Sequence, residues 1–180
     1  DEQLFRAVVL VDVTPRMELG GVQRIVGFMA AHPDGFDSLD AASAIIAEYT
    51  GRPRPPTPDG LRQVLAHGSD GRWRWRWDVR FLEGRADMII GGDIEALREI
   101  QVRERLHEGA RRIKVPALVV RGAESDLVST EGVREFVDAV PGAQYVDVAD
   151  AGHMVAGDQN DTVTAAVLTF LSEVRTGTTR

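Results

Sequence analysis

Two short apolar runs limit what this chain can fold into. Ala7-Val8-Val9-Leu10-Val11 and Ala117-Leu118-Val119-Val120 are continuous, rich in β-branched residues and about a hundred residues apart. A run with no polar alternation suits a strand covered on both faces of a parallel sheet. Joining two parallel strands takes a crossover, and a simple one needs only a dozen or so residues. The excess between the two runs therefore predicts an inserted domain.

Downstream the same logic repeats. Pro116 suits the first position of a strand, and Ser129-Thr130-Glu131 opens a helix with Val133, Phe136, Val137 and Val140 at i, i+3, i+4 and i+7. Pro141-Gly142 stops that helix. Gln144-Tyr145-Val146-Asp147-Val148 alternates as an edge strand does, and Val163, Val167, Phe170, Leu171 and Val174 mark one face of a final helix. The order β-α-β-α predicts an α/β fold with a doubly wound parallel sheet.

The insertion reads as mostly helical. Val22, Ile25, Val26 and Met29 predict one helix, and Ser38 to Tyr49 a second, stopped by Gly51. Leu61, Val64 and Leu65 begin a short third, and Asp93 caps a longer fourth carrying Ile94, Leu97 and Ile100. Arg52-Pro53-Arg54-Pro55-Pro56-Thr57-Pro58 cannot continue a helix and reads as a stiff extended connector. The expected organisation is a core strand in 1–16, the insertion in 17–112 and a C-terminal core in 113–180.

Composition removes several classes of function. The chain has no cysteine, so it has neither a disulfide framework nor a thiolate metal site. A net charge of −7 opposes broad phosphate-backbone affinity. No stretch approaches the roughly 18 apolar residues of a membrane-spanning helix. Nothing at the N-terminus resembles a signal peptide, and the first residue is Asp1, so a start after processing or truncation and a cytoplasmic location are expected.

Arg72-Trp73-Arg74-Trp75-Arg76-Trp77 is the most unusual local pattern, since a period of two puts the indoles on one face and the guanidiniums on the other. Single-stranded nucleic acid would need rings and cations on one accessible face, so no nucleic-acid partner is expected. The pattern instead predicts a strand packing its Trp face under the insertion, near the substrate pocket. Its Arg face would pair with acidic neighbours or contact a partner segment.

In an open α/β sheet, ligands bind beyond the carboxyl ends of the strands. Asp12 follows the first predicted strand, Asp126 the second and His153 the third, within Asp150-Ala151-Gly152-His153-Met154. A carboxylate can fix an imidazole tautomer and stabilise the imidazolium while the other ring nitrogen takes a proton. Asp126 with His153 is the expected pair, and Gly152 is expected to make the turn that presents the ring. The plainer alternatives are a turn-forming aspartate and a capping histidine. His32, His67 and His107 read as solvated, Asp158, Asn160 and Asp161 as caps of the final helix, and Gly91-Gly92-Asp93 as a helix start; no metal site is expected.

Val115-Pro116-Ala117-Leu118-Val119-Val120-Arg121-Gly122 with Ser125-Asp126, followed by Ala151-Gly152-His153-Met154, resembles the acid-strand and histidine-loop segments of the α/β-hydrolase fold. Ala7 to Asp12 looks like the strand preceding that fold's lid insertion, and the helical middle like its variable cap. The resemblance implies a partial doubly wound sheet of the α/β-hydrolase type with an inserted, mostly helical cap. It also implies a triad without metal or organic cofactor, Asp126 being the acid and His153 the base. Some members place the acid after the earlier strand, which makes Asp12 the alternative acid.

The family's nucleophile sits on a Gly-x-Ser-x-Gly elbow. Ser38, Ser43, Ser69, Ser125, Ser129 and Ser172 all lack the flanking glycines. The nucleophile and oxyanion-hole loop are therefore expected on an N-terminal half supplied by the same protein, a nicked fragment or a second chain. Three strands cannot flank and cover a central apolar strand, so the chain alone is expected to be inactive and prone to associate.

A serine nucleophile implies ester-like or related acyl chemistry, or perhydrolase activity, on a small, largely apolar substrate. An aspartate nucleophile implies an epoxide hydrolase or dehalogenase. Loss of the nucleophile would leave a non-catalytic binding protein, or a structural half contributing fold alone. Met17, Phe28, Met29, Trp73, Trp75, Trp77 and Met154 are the candidate pocket residues, with ordinary core packing as the alternative.

Overall fold

The computed structural model describes residues 4–92, 103–155 and 160–177. By contact the chain divides into two compact units, one of residues 1–23 and 94–180 and the other of residues 24–93. The sequence-based boundaries at 17 and 112 fall outside those of the second unit. The start of α1 (Leu19–Ala30) stays with the first unit, where the Glu18 N–H donates to Leu127 O at 2.8 Å. So does α4 (Arg103–Arg111), which packs on α5 (Thr130–Ala139).

The first unit is built on a three-stranded parallel sheet of β1 (Val8–Val11), β4 (Ala117–Gly122) and β5 (Gln144–Val148), in the order β1-β4-β5. Val8 faces Ala117 across one ladder, and Leu118 faces Gln144 across the other. β4 lies between its neighbours and is buried at every residue, as its unbroken apolar run requires. The expectation that β1 would be buried on both faces is corrected. Among the described residues it pairs with β4 alone, its first three residues are half-buried, and Val11 is exposed.

The two helices after β4 and β5 follow from side-chain periodicity. In α5 the Ser129 hydroxyl accepts from the Gly132 N–H as N-cap, and Val133, Phe136 and Val140 are buried along one stripe. In α6 (Asn160–Thr176) Val163 and Phe170 are buried while Val167 and Val174 pack beside them against Leu118, Val120, Val148 and Val155. Leu171, read as part of that face, is exposed because the stripe runs through 163, 167, 170 and 174.

In the second unit α2 (Leu39–Thr50) is capped by Ser38, whose side chain accepts from the Ala41 N–H, and ends at Gly51 with φ 69°. Arg52 to Pro58 has no helix or strand, as its prolines dictate. The predicted third helix is a 3-10 turn over Asp59–Gln63. Leu65 belongs instead to β2 (Leu65–His67), antiparallel to β3 (Trp73–Trp75). A short α3 (Ala86–Ile90) follows, and the predicted fourth helix from Asp93 through Ile94, Leu97 and Ile100 lies outside the described residues, as does Asp158. Phe36, Leu39, Ala42 and Leu65 form the core of this unit. No helix among the described residues is long and apolar enough to cross a membrane.

Candidate active site

β1 and β5 flank β4, so the segments leaving their carboxyl ends can meet only by reaching over the end of β4. The last residue of β4 is Gly122. An added Cβ there would collide with the backbone carbonyls of Ala151 and Gly152, so glycine is what lets the histidine loop lie directly on the strand end. That loop is then stitched to the segment after β4, since the Ala123 and Glu124 N–H groups donate to Val148 O and Ala151 O, each at 2.9 Å.

Across this point His153 Nδ1 lies 2.8 Å from Asp12 Oδ2. Asp12 immediately follows β1, and its N–H continues the ladder to Val120 O at 2.7 Å. Its backbone then turns sharply, with φ 47°. Aspartate tolerates the left-handed region better than most residues, but the conformation still costs about 1–2 kcal/mol and is characteristic of functional sites. The Asp12 side chain is fully buried. A buried carboxylate needs its oxygens filled by donors. Here the Gly122 N–H donates to Oδ1 at 3.1 Å, while the Ser125 hydroxyl at 2.7 Å and the His153 Nδ1–H at 2.8 Å both donate to Oδ2.

This geometry corrects the sequence-based pairing. Asp12, read as the alternative acid, is the carboxylate at the imidazole, while Asp126 is an exposed residue of the loop after β4. The difference arises within that loop. It turns at once, the Ser125 N–H donating to Gly122 O at 2.9 Å, and brings the Ser125 side chain to Asp12. Gly152 is also not the residue that bends the histidine loop; Asp150 takes the positive φ, at 53°. Ser125 and Gly122 were not read as site residues. The available signal was the glycine ending an apolar strand with a serine three residues later.

With the Nδ1 proton directed at a carboxylate, His153 has its Nε2 lone pair free to accept a proton. Its side chain is 29% exposed, enough for a reacting group to reach it. Met154 beside it is exposed, as is Met17 in the same unit. Among the described residues no group of three or more His, Cys, Asp or Glu side chains is placed to hold a metal ion.

A second polar cluster ties the segment after Asp12 to α5. Arg16 donates to Glu135 at 2.7 Å and Ser129 to Glu18 at 2.5 Å, and His107 Nε2 lies 3.5 Å from Glu135. The Arg16 guanidinium is held above its ordinary range, chiefly by the hydrogen bond to Glu135. A cleft of about 280 Å³ on this side of β1 is lined by Leu10, Val13, Leu106, Ala110, Ile113 and Phe136 among others. Neither Asp12 nor His153 lines it, so it is not where their chemistry would take place.

The remaining pocket candidates belong to the second unit. Phe28 stacks on Tyr49 with ring centroids 3.9 Å apart and meets the edge of Trp75 at 5.8 Å, while Met29 and Trp77 are half-buried. Trp73 and Trp75 pack on the core of that unit, and Trp77 falls beyond β3. The guanidiniums of the repeat are engaged locally. Arg72 pairs with Asp37, Arg74 with Asp70 at 2.6 Å, and Arg76 donates to Leu65 O at 3.1 Å.

The fold agrees with that of known hydrolases. The crystal structure of E-2-(acetamidomethylene)succinate hydrolase superposes with a TM-score of 0.70 at 23% identity, over 94% of this chain and 58% of that one. An esterase of Mycobacterium tuberculosis superposes with a TM-score of 0.65 at 22% identity, over 94% and 55%. By sequence, the 3-hydroxybutyrate-oligomer hydrolase of Cupriavidus necator is 28% identical over 159 residues, covering 82% of this chain and 50% of the relative. Residues 97–179 match the family described as TAP-like protein. The chain thus has the fold of the α/β hydrolases, and it spans about half the length of this curated relative.

Proposed function

We propose that this chain carries the acid and base of a hydrolase acting on small, largely apolar ester-like substrates, with Asp12 as the acid and His153 as the base. The observation that carries the reading is the 2.8 Å contact between His153 Nδ1 and a fully buried carboxylate at the carboxyl end of the sheet. Asp12 holds the imidazole in the tautomer with its proton on Nδ1. His153 Nε2 takes the proton of a nucleophilic hydroxyl as that oxygen attacks the ester carbonyl, and returns it to the leaving alcohol. In the second half-reaction His153 draws a proton from water as its oxygen bonds to the acyl carbon, then returns that proton to the nucleophile's oxygen as the acyl bond to it breaks and the acid leaves.

On this reading the nucleophile is not a serine of this chain. Ser125 touches Asp12 rather than His153, and Ser38 and Ser129 cap helices. The nucleophile comes from a further segment, a Gly-x-Ser-x-Gly elbow, that pairs with the free edge of β1. The exposed apolar residues Val11 and Val13 at that edge support this, as does the chain's half-length coverage of its relative. Ester chemistry is favoured over epoxide or haloalkane chemistry because the similar proteins include an esterase and a hydrolase of hydroxybutyrate oligomers. Met17 and Met154, exposed in the same unit as His153, are the candidate substrate contacts.

A fluorophosphonate probe with a panel of short-chain esters tests the reading in the protein assembled with that segment. The expected result is labelling of a serine outside residues 1–180 and loss of roughly 10³-fold or more in turnover on His153→Gln. A labelled serine within these residues, or undiminished turnover in the variant, would contradict it.

A further inference from the structure

We infer that Ser125 is a positioning residue for the acid, fixing which oxygen of Asp12 faces the histidine; this rests on the reading of Asp12 and His153 given above. A hydroxyl has one hydrogen to donate and two lone pairs to accept with. Both acceptor sites of Ser125 Oγ are taken by backbone donors, the Leu127 N–H at 3.2 Å and the Val128 N–H at 3.1 Å. The single proton is thereby committed to Asp12 Oδ2, 2.7 Å away. Serine and threonine hydroxyls usually rotate to suit their surroundings, but this one has a single direction left.

The consequence lies in the orientation of the carboxylate. Asp12 Oδ1 is fixed by the Gly122 N–H and Oδ2 by Ser125, so the plane of the group is set by two donors, one at the end of β4 and one in the loop after it, before the imidazole arrives. His153 then meets an oxygen already in place. The loop carrying Ser125 is itself anchored from below. Buried Arg121 donates through Nε to Val128 O at 2.7 Å and pairs through Nη1 with Asp147 at 3.0 Å, joining the loop to β5. Ser125 is the point at which this bracing reaches the reacting pair.

Removing the hydroxyl leaves only the Gly122 N–H to hold the carboxylate ahead of the imidazole, so the His153 tautomer and ring orientation are less well defined. Substrate binding is untouched, and the effect falls on kcat rather than KM. Three variants test this in the assembled protein: Ser125→Ala, Ser125→Thr, which keeps the hydroxyl, and Ser125→Cys, which keeps the shape with only a weak donor. All are assayed for ester hydrolysis below their melting temperatures, alongside His153→Gln and with the downfield proton resonance of the His153 Nδ1–H recorded.

The expected result is a fall in kcat of about tenfold in Ser125→Ala at unchanged KM, with a shifted or broadened Nδ1–H resonance. Ser125→Thr restores most of the rate, and Ser125→Cys shows the same loss where the alanine variant does not fold. Wild-type kcat in the alanine or cysteine variant, or equal impairment of the threonine and alanine variants, overturns the inference. If His153→Gln is inactive in that case, the acid–base reading survives. If His153→Gln is fully active, that reading fails and the role of Ser125 fails with it.

Discussion

At the level of single residues the candidate site depends on what is absent at position 122 as much as on what is present at 12 and 153. Gly122 ends the central strand where any side chain would strike the carbonyls of Ala151 and Gly152. Gly122→Ala must therefore push the histidine loop away from β4. We expect hydrolytic turnover to drop at least tenfold, from a displacement of about an ångström, and stability to fall by about 1–3 kcal/mol. Denaturant unfolding together with ester kinetics checks this. The sequence made Asp12, Asp126 and His153 visible as polar residues after strands, but it placed Asp126 ahead of Asp12, whereas Asp12 is the carboxylate that lies 2.8 Å from His153 Nδ1. Their ranking depends on the lateral strand order and on the positive φ of Asp12, neither of which has a local signature.

At the level of elements, legibility follows how local the determining contacts are. α5 is readable because its cap and buried stripe lie within a dozen residues, and Ser129 does double duty there, capping the helix and donating to Glu18. Ser129→Ala is expected to lower stability by about 1–2 kcal/mol, read from the midpoint of urea unfolding. The β2–β3 hairpin was only half visible. Trp73 to Trp77 alternates over enough residues to declare a strand, whereas Leu65–His67 is too short to show any period. That hairpin also carries an acid-sensitive contact. The Asp70 carboxyl is held well below its ordinary range by the hydrogen bond from Arg74, and next by the Arg72 N–H. Because the folded-state value is depressed, the stabilisation is present above the unfolded value of about 3.9 and is lost as pH falls from there toward the folded-state value. Asp70→Asn is expected to reduce slightly the loss of melting temperature between pH 5 and pH 3, the effect being small because the pair is exposed.

At the scale of the whole molecule, the described sheet is open at both β1 and β5, and β1 is the edge with the composition of a covered strand. β1 has the composition of an interior strand but pairs with β4 alone among the described residues, leaving Val11 and Val13 exposed. An unpaired apolar edge is a template for association. Prepared as residues 1–180, the chain is expected to self-associate in size-exclusion chromatography, and Val11→Lys to shift it toward monomer; a monodisperse monomer before substitution would count against a missing neighbour at this edge. The same edge is where the proposed nucleophile segment would join, so fold completion and chemistry are linked. The central claim, that Asp12 rather than Asp126 serves His153, is tested most directly by comparing Asp12→Asn and Asp126→Asn in the assembled protein under saturating ester. A loss of roughly 10³–10⁴-fold in kcat for Asp12→Asn, with Asp126→Asn within about twofold of wild type, is the result expected. The reverse order of losses would contradict it.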